Sequence, residues 1–163
     1  MIVDALLAVA GSILGNTVTP QTVTGANTNV NSANVIDLST GGIPAGQVRD
    51  IGEGSDNPVL RVEVITAFSG GTSVEFQVIG SDDAAQSTNV TVLGSTGAIA
   101  VASLTAGARF TAQINPKIGS KGQRYISGRW VLVGTVSAGA IYADLGLEIQ
   151  DGQKFLPSGF AVL

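Results

Sequence analysis

Histidine and cysteine are absent from this chain, and only 12% of its residues are charged, about half of the roughly 25% usual for a soluble domain. Without histidine there is no Ser-His-Asp relay and no imidazole metal ligand. Without cysteine there is no thiolate nucleophile, no zinc ribbon and no disulfide, and the redox compartment stays open. A surface this poor in charge is costly to leave wholly facing water and suits a subunit packed against neighbours. The expectation is therefore a binding or structural protein that is not an enzyme and needs no cofactor.

At 163 residues a single domain is expected, large enough to bury about 70% of its unfolded surface. Eight basic residues stand against twelve acidic ones, a net charge of −4. That balance speaks against nucleic acid, whose phosphates need clustered Lys and Arg. The sign is uneven: residues 1–83 carry −7, residues 84–143 carry +5 on Arg109, Lys117, Lys121, Arg124 and Arg129, and the rest carries −2. A bipolar chain can dock head to tail on copies of itself or on a partner of mixed sign. Equally, folding can interleave the segments and even out the field.

No stretch is long enough to cross a bilayer as a helix, which takes about 20 residues. The apolar start, 1–14, falls short, lacks a basic flank and is interrupted by Asp4, so neither a membrane anchor nor a signal peptide is expected. Residues 15–47 are rich in Asn, Thr, Gly and Ser, types that compete with regular structure for backbone hydrogen bonds. They are expected to form an extended arm or long loop, interrupted by one short strand at Asn34–Leu38. Three regions of one domain follow: the apolar start and arm (1–47), a β core (48–150) and a C-terminal tail (151–163).

From residue 59 the period becomes two. Leu60, Val62, Val64, Thr66 and Phe68 alternate with Val59, Arg61, Glu63 and Ile65, and Val74, Phe76 and Val78 alternate with Ser73, Glu75, Gln77 and Ile79. Each pattern marks a strand with a buried even face. If the two are hairpin neighbours, parity excludes a two-residue turn and favours the loop Ser69-Gly70-Gly71. Further strands are predicted at Val90–Leu93, Ile99–Ser103, Ala108–Ile114, Tyr125–Val136 and Ile141–Ile149. In the last of these, Ile141, Ala143, Leu145, Leu147 and Ile149 face the core and Tyr142, Asp144, Gly146 and Glu148 face away. About eight short strands with no helix-length amphipathic run give an all-β fold, read as an antiparallel jelly-roll sandwich, with an immunoglobulin-like sandwich as the alternative.

Carboxylates are the remaining acid–base groups. Asp50, Glu53 and Asp56, and the adjacent Asp82-Asp83, lack the spacing of a calcium loop and read as solvated acidic loops. Glu63 and Glu75 invite comparison with a glycosidase pair, but they read far better as polar residues marking the exposed side of a sheet. The run Gly119-Ser120-Lys121-Gly122-Gln123-Arg124 has the amides and cations to hold an anion, but lacks the P-loop spacing and reads as a basic turn. Asn89-Val90-Thr91 is a sequon expected by chance in so Asn/Thr-rich a chain. Trp130 falls in an inward series and is assigned to the core.

Gly119-Ser120-Lys121-Gly122-Gln123-Arg124-Tyr125 and Asp151-Gly152-Gln153-Lys154-Phe155-Leu156-Pro157-Ser158-Gly159-Phe160 resemble the capsid cement (decoration) proteins of tailed bacteriophages, most of all the jelly-roll cement proteins of the Bordetella phage type. Met1-Ile2-Val3-Asp4, Ile36-Asp37-Leu38, Val48-Arg49-Asp50-Ile51-Gly52, and Phe76-Gln77-Val78 leading into Ser81-Asp82-Asp83-Ala84 extend the likeness over nearly the whole chain. Residues 15–34, longer and richer in Asn, depart from the pattern. The resemblance implies a jelly roll that binds the outer surface of an expanded HK97-type capsid and cements neighbouring major capsid subunits. It further implies a virion protein acting as a dimer, trimer or other small oligomer, made in the host bacterial cytoplasm. Contact candidates are the apolar Ile2, Val3 and Leu6, the cations Arg49, Lys121, Arg124 and Arg129, and the tail residues Lys154, Phe155, Leu156, Pro157 and Phe160. The alternatives are another head or tail structural protein, such as a fibre base, and a carbohydrate-binding β-sandwich.

Overall fold

The computed structural model describes residues 7–14, 17–38, 58–114 and 123–146. Among them every regular element is a strand, apart from a 3-10 turn at Val101–Ser103. The strands are β1 (Ala8–Ala10), β2 (Ser12–Leu14), β3 (Thr17–Thr19), β4 (Gln21–Thr22), β5 (Gly25–Ala26), β6 (Asn29–Asp37), β7 (Val59–Gly70), β8 (Ser73–Ser81), β9 (Thr91–Ala100), β10 (Arg109–Gln113), β11 (Tyr125–Val133) and β12 (Thr135–Gly146).

Two antiparallel sheets stack. The first runs β1-β12-β7-β10, with β4 and β5 also paired to β12; the second runs β6-β11-β8-β9. Leaving aside the short β2 to β5, the pairs β1·β12, β6·β11, β7·β10 and β8·β9 are first with eighth, second with seventh, third with sixth and fourth with fifth. That nesting is a long hairpin rolled on itself, which is the jelly roll and not the immunoglobulin order.

The core forms where the period-two patterns meet. Leu60, Val62 and Val64 of β7 face Val74, Phe76 and Val78 of β8, each at most 1% exposed. Trp130 is fully buried and meets Phe76 edge-on at 5.7 Å, and Phe68 meets Phe76 in the same manner at 6.4 Å. Such pairs add to the burial itself. Thr66, expected on the inward face, is exposed where the register between β7 and β12 is irregular, and Phe68 returns to the core.

β7 and β8 are not hairpin neighbours, so the condition for a Ser69-Gly70-Gly71 hairpin loop is not met: the two lie in different sheets. Gly70 and Gly71, both left-handed with φ of +71° and +72°, carry the chain from one layer to the other. A second crossing, at Gly134 between β11 and β12, packs on the first so closely that a Cβ on Gly134 would stand 2.8 Å from the Gly71 Cα. Two glycine corners thus sit back to back, where side chains would hold the layers apart. Gly134 also ends the predicted single strand 125–136, and β9 continues through the predicted gap at 94–98, where its register against β8 shifts and Gly97 adopts φ of +70°.

The Asn/Thr-rich segment departs most from expectation. It is extended, but within 17–38 it is strand almost throughout, and β6 starts at Asn29, not Asn34. The sandwich takes two of its eight strands, β1 and β6, from within residues 1–47. Val9 and Val23 are fully buried, so these residues are tied to the core.

Candidate functional site

Most predicted contact residues, namely Ile2, Val3, Leu6, Arg49, Lys121, Lys154, Phe155, Leu156, Pro157 and Phe160, lie outside the described residues, as do Asp50, Glu53 and Asp56. The site is therefore built from the two outward sheet faces and the two seams between the sheets.

On the outward face of the first sheet, Asp144 of β12 stands directly across from Arg61 of β7. Arg61 Nε donates to Asp144 Oδ1 at 2.7 Å and its Nη2 donates to Oδ2, a bidentate pair that is almost wholly buried. Tyr142 turns its hydroxyl toward Asp144 Oδ2, 3.5 Å away. Burial, and then the nearby carboxylate, push the Tyr142 phenol up to about 12. These positions were expected to face away from the core into water. They do face away, but Tyr142 is 9% and Asp144 2% exposed. The ion pair is what allows a polar face to leave water. One step along, Glu63 pairs with Arg109 at 3.2 Å, an exposed contact worth little on its own.

The outward face of the second sheet carries a polar row across four strands, Asn31, Arg129, Gln77 and Ser95 in register. Arg129 Nε and Nη2 both donate to Gln77 Oε1, at 2.9 and 2.7 Å. Gln77 Nε2 donates to Glu75 Oε1 at 2.7 Å, and Ser95 Oγ donates to the same oxygen. The next row, Val35, Ser127, Ile79 and Val92, is mostly apolar, with Ser127 and Ile79 buried. Arg124, at the end of this face, holds Asp37 through two bonds of 2.9 and 2.8 Å and lies 5.0 Å over the Tyr125 ring. Both described candidate cations are thus engaged within the chain. Reading for charge alone missed Gln77, the amide that organises Arg129; its place between Glu75 and Ile79 on an outward face is the signal that was available.

The glycosidase pair does not exist. Glu63 projects from the first sheet and Glu75 from the second, on opposite outer faces, because β7 and β8 belong to different layers. Asp83 is a loop organiser: its carboxylate accepts from the backbone N–H of Ser87 (2.9 Å) and Thr88 (2.7 Å) and from the Ser87 hydroxyl (2.7 Å), bonds that draw its pKa below the usual value. Asp82 accepts from the Asn89 amide at 2.6 Å. No group of three metal-ligating side chains occurs among the described residues.

The seams differ from each other. Between β12 and β6, β4 and β5 add to β12, and Gln21 spans to β6: its Nε2 donates to the Asn31 carbonyl (2.8 Å) and its Oε1 accepts from the Ala33 N–H (2.9 Å). Asn34 Nδ2 reaches the Ala8 carbonyl at 3.1 Å. Between β9 and β10, the sheets touch where Gly94 abuts the Gln113 carbonyl oxygen, a contact that leaves no room for a side chain. Around it Leu93, Ile99, Val101, Ala108 and Phe110 are partly buried against the core, and the connection from β9 to β10 bonds back to β7 with Leu104 buried beneath it.

A nested jelly roll of two antiparallel sheets, with β9 as an unpaired edge among the described residues, defines the class of domain. The chain belongs to the Bbp16 family, whose model matches residues 18–145 and which is a family of Bordetella phage proteins. No curated protein matches it.

Proposed function

We propose that this protein is a structural component of the virion that binds the outside of the expanded phage capsid and cements neighbouring major capsid subunits. Membership of a phage protein family, on a jelly-roll scaffold, is the observation that carries the reading. Three features support it. The charged side chains of both outward faces are largely satisfied within the chain, so covering those faces costs little desolvation. The chain lacks the side chains that most hydrolytic and redox chemistry uses. A net charge of −4 sets it apart from proteins that bind packaged nucleic acid.

Mechanistically such a protein performs no reaction. It adds buried area across subunit seams, so pressure from packaged DNA must break more contacts. An interface of about 1,600 Å² repeated at every seam gives collective strength even when each contact is modest. The partners are the major capsid protein and further copies of the chain.

The test is direct. Purified protein added to expanded shells should decorate the whole outer surface and raise the temperature at which the shells rupture. Failure to bind expanded shells sinks the reading. Labelling confined to the tail or a vertex replaces it with a fibre-base role.

A further inference from the structure

Charge is scarce in this chain, but it is also unevenly placed. The two longest runs without a charged residue are 5–36 and 84–108, and the fold carries them to opposite sides of the sandwich. The first supplies β1, at one edge of the first sheet, and the β2–β3 ribbon that follows it; the second supplies β9 and the approach to β10, at the opposite edge.

Both ends have strand capacity left over. Among the described residues β2 and β3 pair only with each other, and every position of the ribbon is exposed or half-exposed. Leu14 is 85% and Val18 36% exposed. A lone two-stranded ribbon is marginal in water and is steadied by packing on a further surface. At the other end, among the described residues the second edge of β9 pairs with no strand, and Gly97, Ala98 and Ala100 are exposed. A Cβ built on Gly97 or on Gly107 would meet nothing within 4 Å. Beside that edge Ile99 and Phe110 offer half-covered apolar surface. An uncharged, unpaired edge strand without proline is a template for strand addition.

We propose that the β2–β3 ribbon of one copy docks on the β9 edge and β9/β10 seam of a second copy. The occupant is another copy because the two surfaces answer each other: one offers an exposed strand pair with an apolar residue to bury, the other an open strand edge beside apolar side chains. Neither the ribbon nor β9 itself carries a charge, and the charges bordering them, Arg109 with Glu63 and Glu75 with Ser95, already have partners within the chain. The contact joins two different surfaces on opposite sides of the molecule, so it repeats head to tail and closes successively round a ring. It deepens the cement reading by naming how copies meet, and it rests on that reading only for its biological setting.

The absence of native cysteine makes the experiment clean. Full-length Leu14→Cys and Ala98→Cys proteins are mixed at about 100 µM with a bismaleimide cross-linker spanning on the order of 10 Å, and the assembly is sized by light scattering. The expected result is an assembly larger than a monomer and a cross-link at least tenfold stronger in the mixture than in either variant alone. Cross-linking chiefly within the Leu14→Cys sample, or chiefly within the Ala98→Cys sample, shows like surfaces meeting and overturns the proposal. So does a monomer without cross-links. Leu14→Asp, with fold checked by the emission of the buried Trp130, should weaken assembly at least tenfold; unchanged assembly also overturns it. Binding to shells is scored separately: a monomer that decorates shells refutes this contact and leaves the cement reading standing, whereas cross-linked copies that ignore shells do the reverse.

Discussion

The two seams of the sandwich are built on opposite principles. On the β12/β6 side the gap between sheets is filled three times over: β1, β4 and β5 extend β12, Val23 plugs the interior, and the Gln21 amide stands in for a strand by bonding both Asn31 and Ala33 of β6. On the β9/β10 side the sheets meet at Gly94, the connection through Leu104 and Ala108 bonds back to β7 over a buried Leu104, and Ile99 and Phe110 are partly covered. One seam uses polar side chains to bridge the sheets; the other is crossed by backbone and leaves the outer edge of β9 unpaired among the described residues. A sheet edge is a hazard unless blocked or used. The contrast therefore separates a seam that completes the fold from a strand edge that remains unpaired among the described residues.

The largest effect is expected on β12, the strand to which β1, β4 and β5 all pair. Asp144→Ala leaves the Arg61 guanidinium buried without that carboxylate, and should cost about 3–5 kcal/mol of stability in urea unfolding followed by Trp130 fluorescence. Replacing both, as Arg61→Met with Asp144→Leu, should recover most of the loss. The same cluster has a signature in alkali. With the Tyr142 phenol raised to about 12 and an unfolded value near 10, the unfolded chain loses its proton first. Stability contributed by Tyr142 is complete below about pH 10 and drains away as pH rises toward 12. Absorbance titration of a Tyr125→Phe variant, which leaves one tyrosine, should place the midpoint near 12; a midpoint near 10 would show the ring to be solvated.

Next in size is a matched pair. Val23→Ala empties a fully buried site in the closed seam and should cost about 2 kcal/mol. Ile99→Ala removes more atoms from a residue that is only partly buried, and should cost less, on the order of 1 kcal/mol. Reversal of that order would show the β9/β10 seam to be as tightly closed as the other.

How much of this was legible beforehand follows from what each residue type encodes. The period-two faces of β7 and β8 and the burial of Trp130 could be read directly, because burying apolar side chains fixes alternation. Layer assignment could not: Ser69-Gly70-Gly71 is chemically suited to a hairpin and to an inter-sheet crossing alike, and only the back-to-back packing with Gly134 decides between them. The Asn/Thr-rich arm looked irregular because Asn and Thr do favour loops. Long-range pairing, with Gln21 and Asn34 side chains bonding neighbouring backbone, overrides that preference. Tyr142 and Asp144 looked solvent-facing because alternation reports which face a residue occupies and says nothing of whether that face is covered. Of the predicted contact residues, Arg124 and Arg129 were assigned outward pairing, yet both find partners one strand away, in Asp37 and Gln77.

The smallest effects test the division of labour itself. Gln21→Ala leaves the Asn31 carbonyl and Ala33 N–H to water at a partly exposed edge, so the loss should be about 1 kcal/mol, with faster amide exchange along β6. Ala100→Lys, an exposed position on the β9 edge, should change stability by no more than about 0.5 kcal/mol. Its consequence should appear in association instead, because a lysine on that edge brings a charge that must be desolvated whenever another strand is added. Light scattering and urea unfolding on the same two proteins read the two quantities side by side. If Gln21→Ala loosens the fold without changing assembly, and Ala100→Lys abolishes assembly without loosening the fold, the seams have the separate roles their construction implies. If both variants move both quantities together, the seams are energetically one structure and the distinction fails.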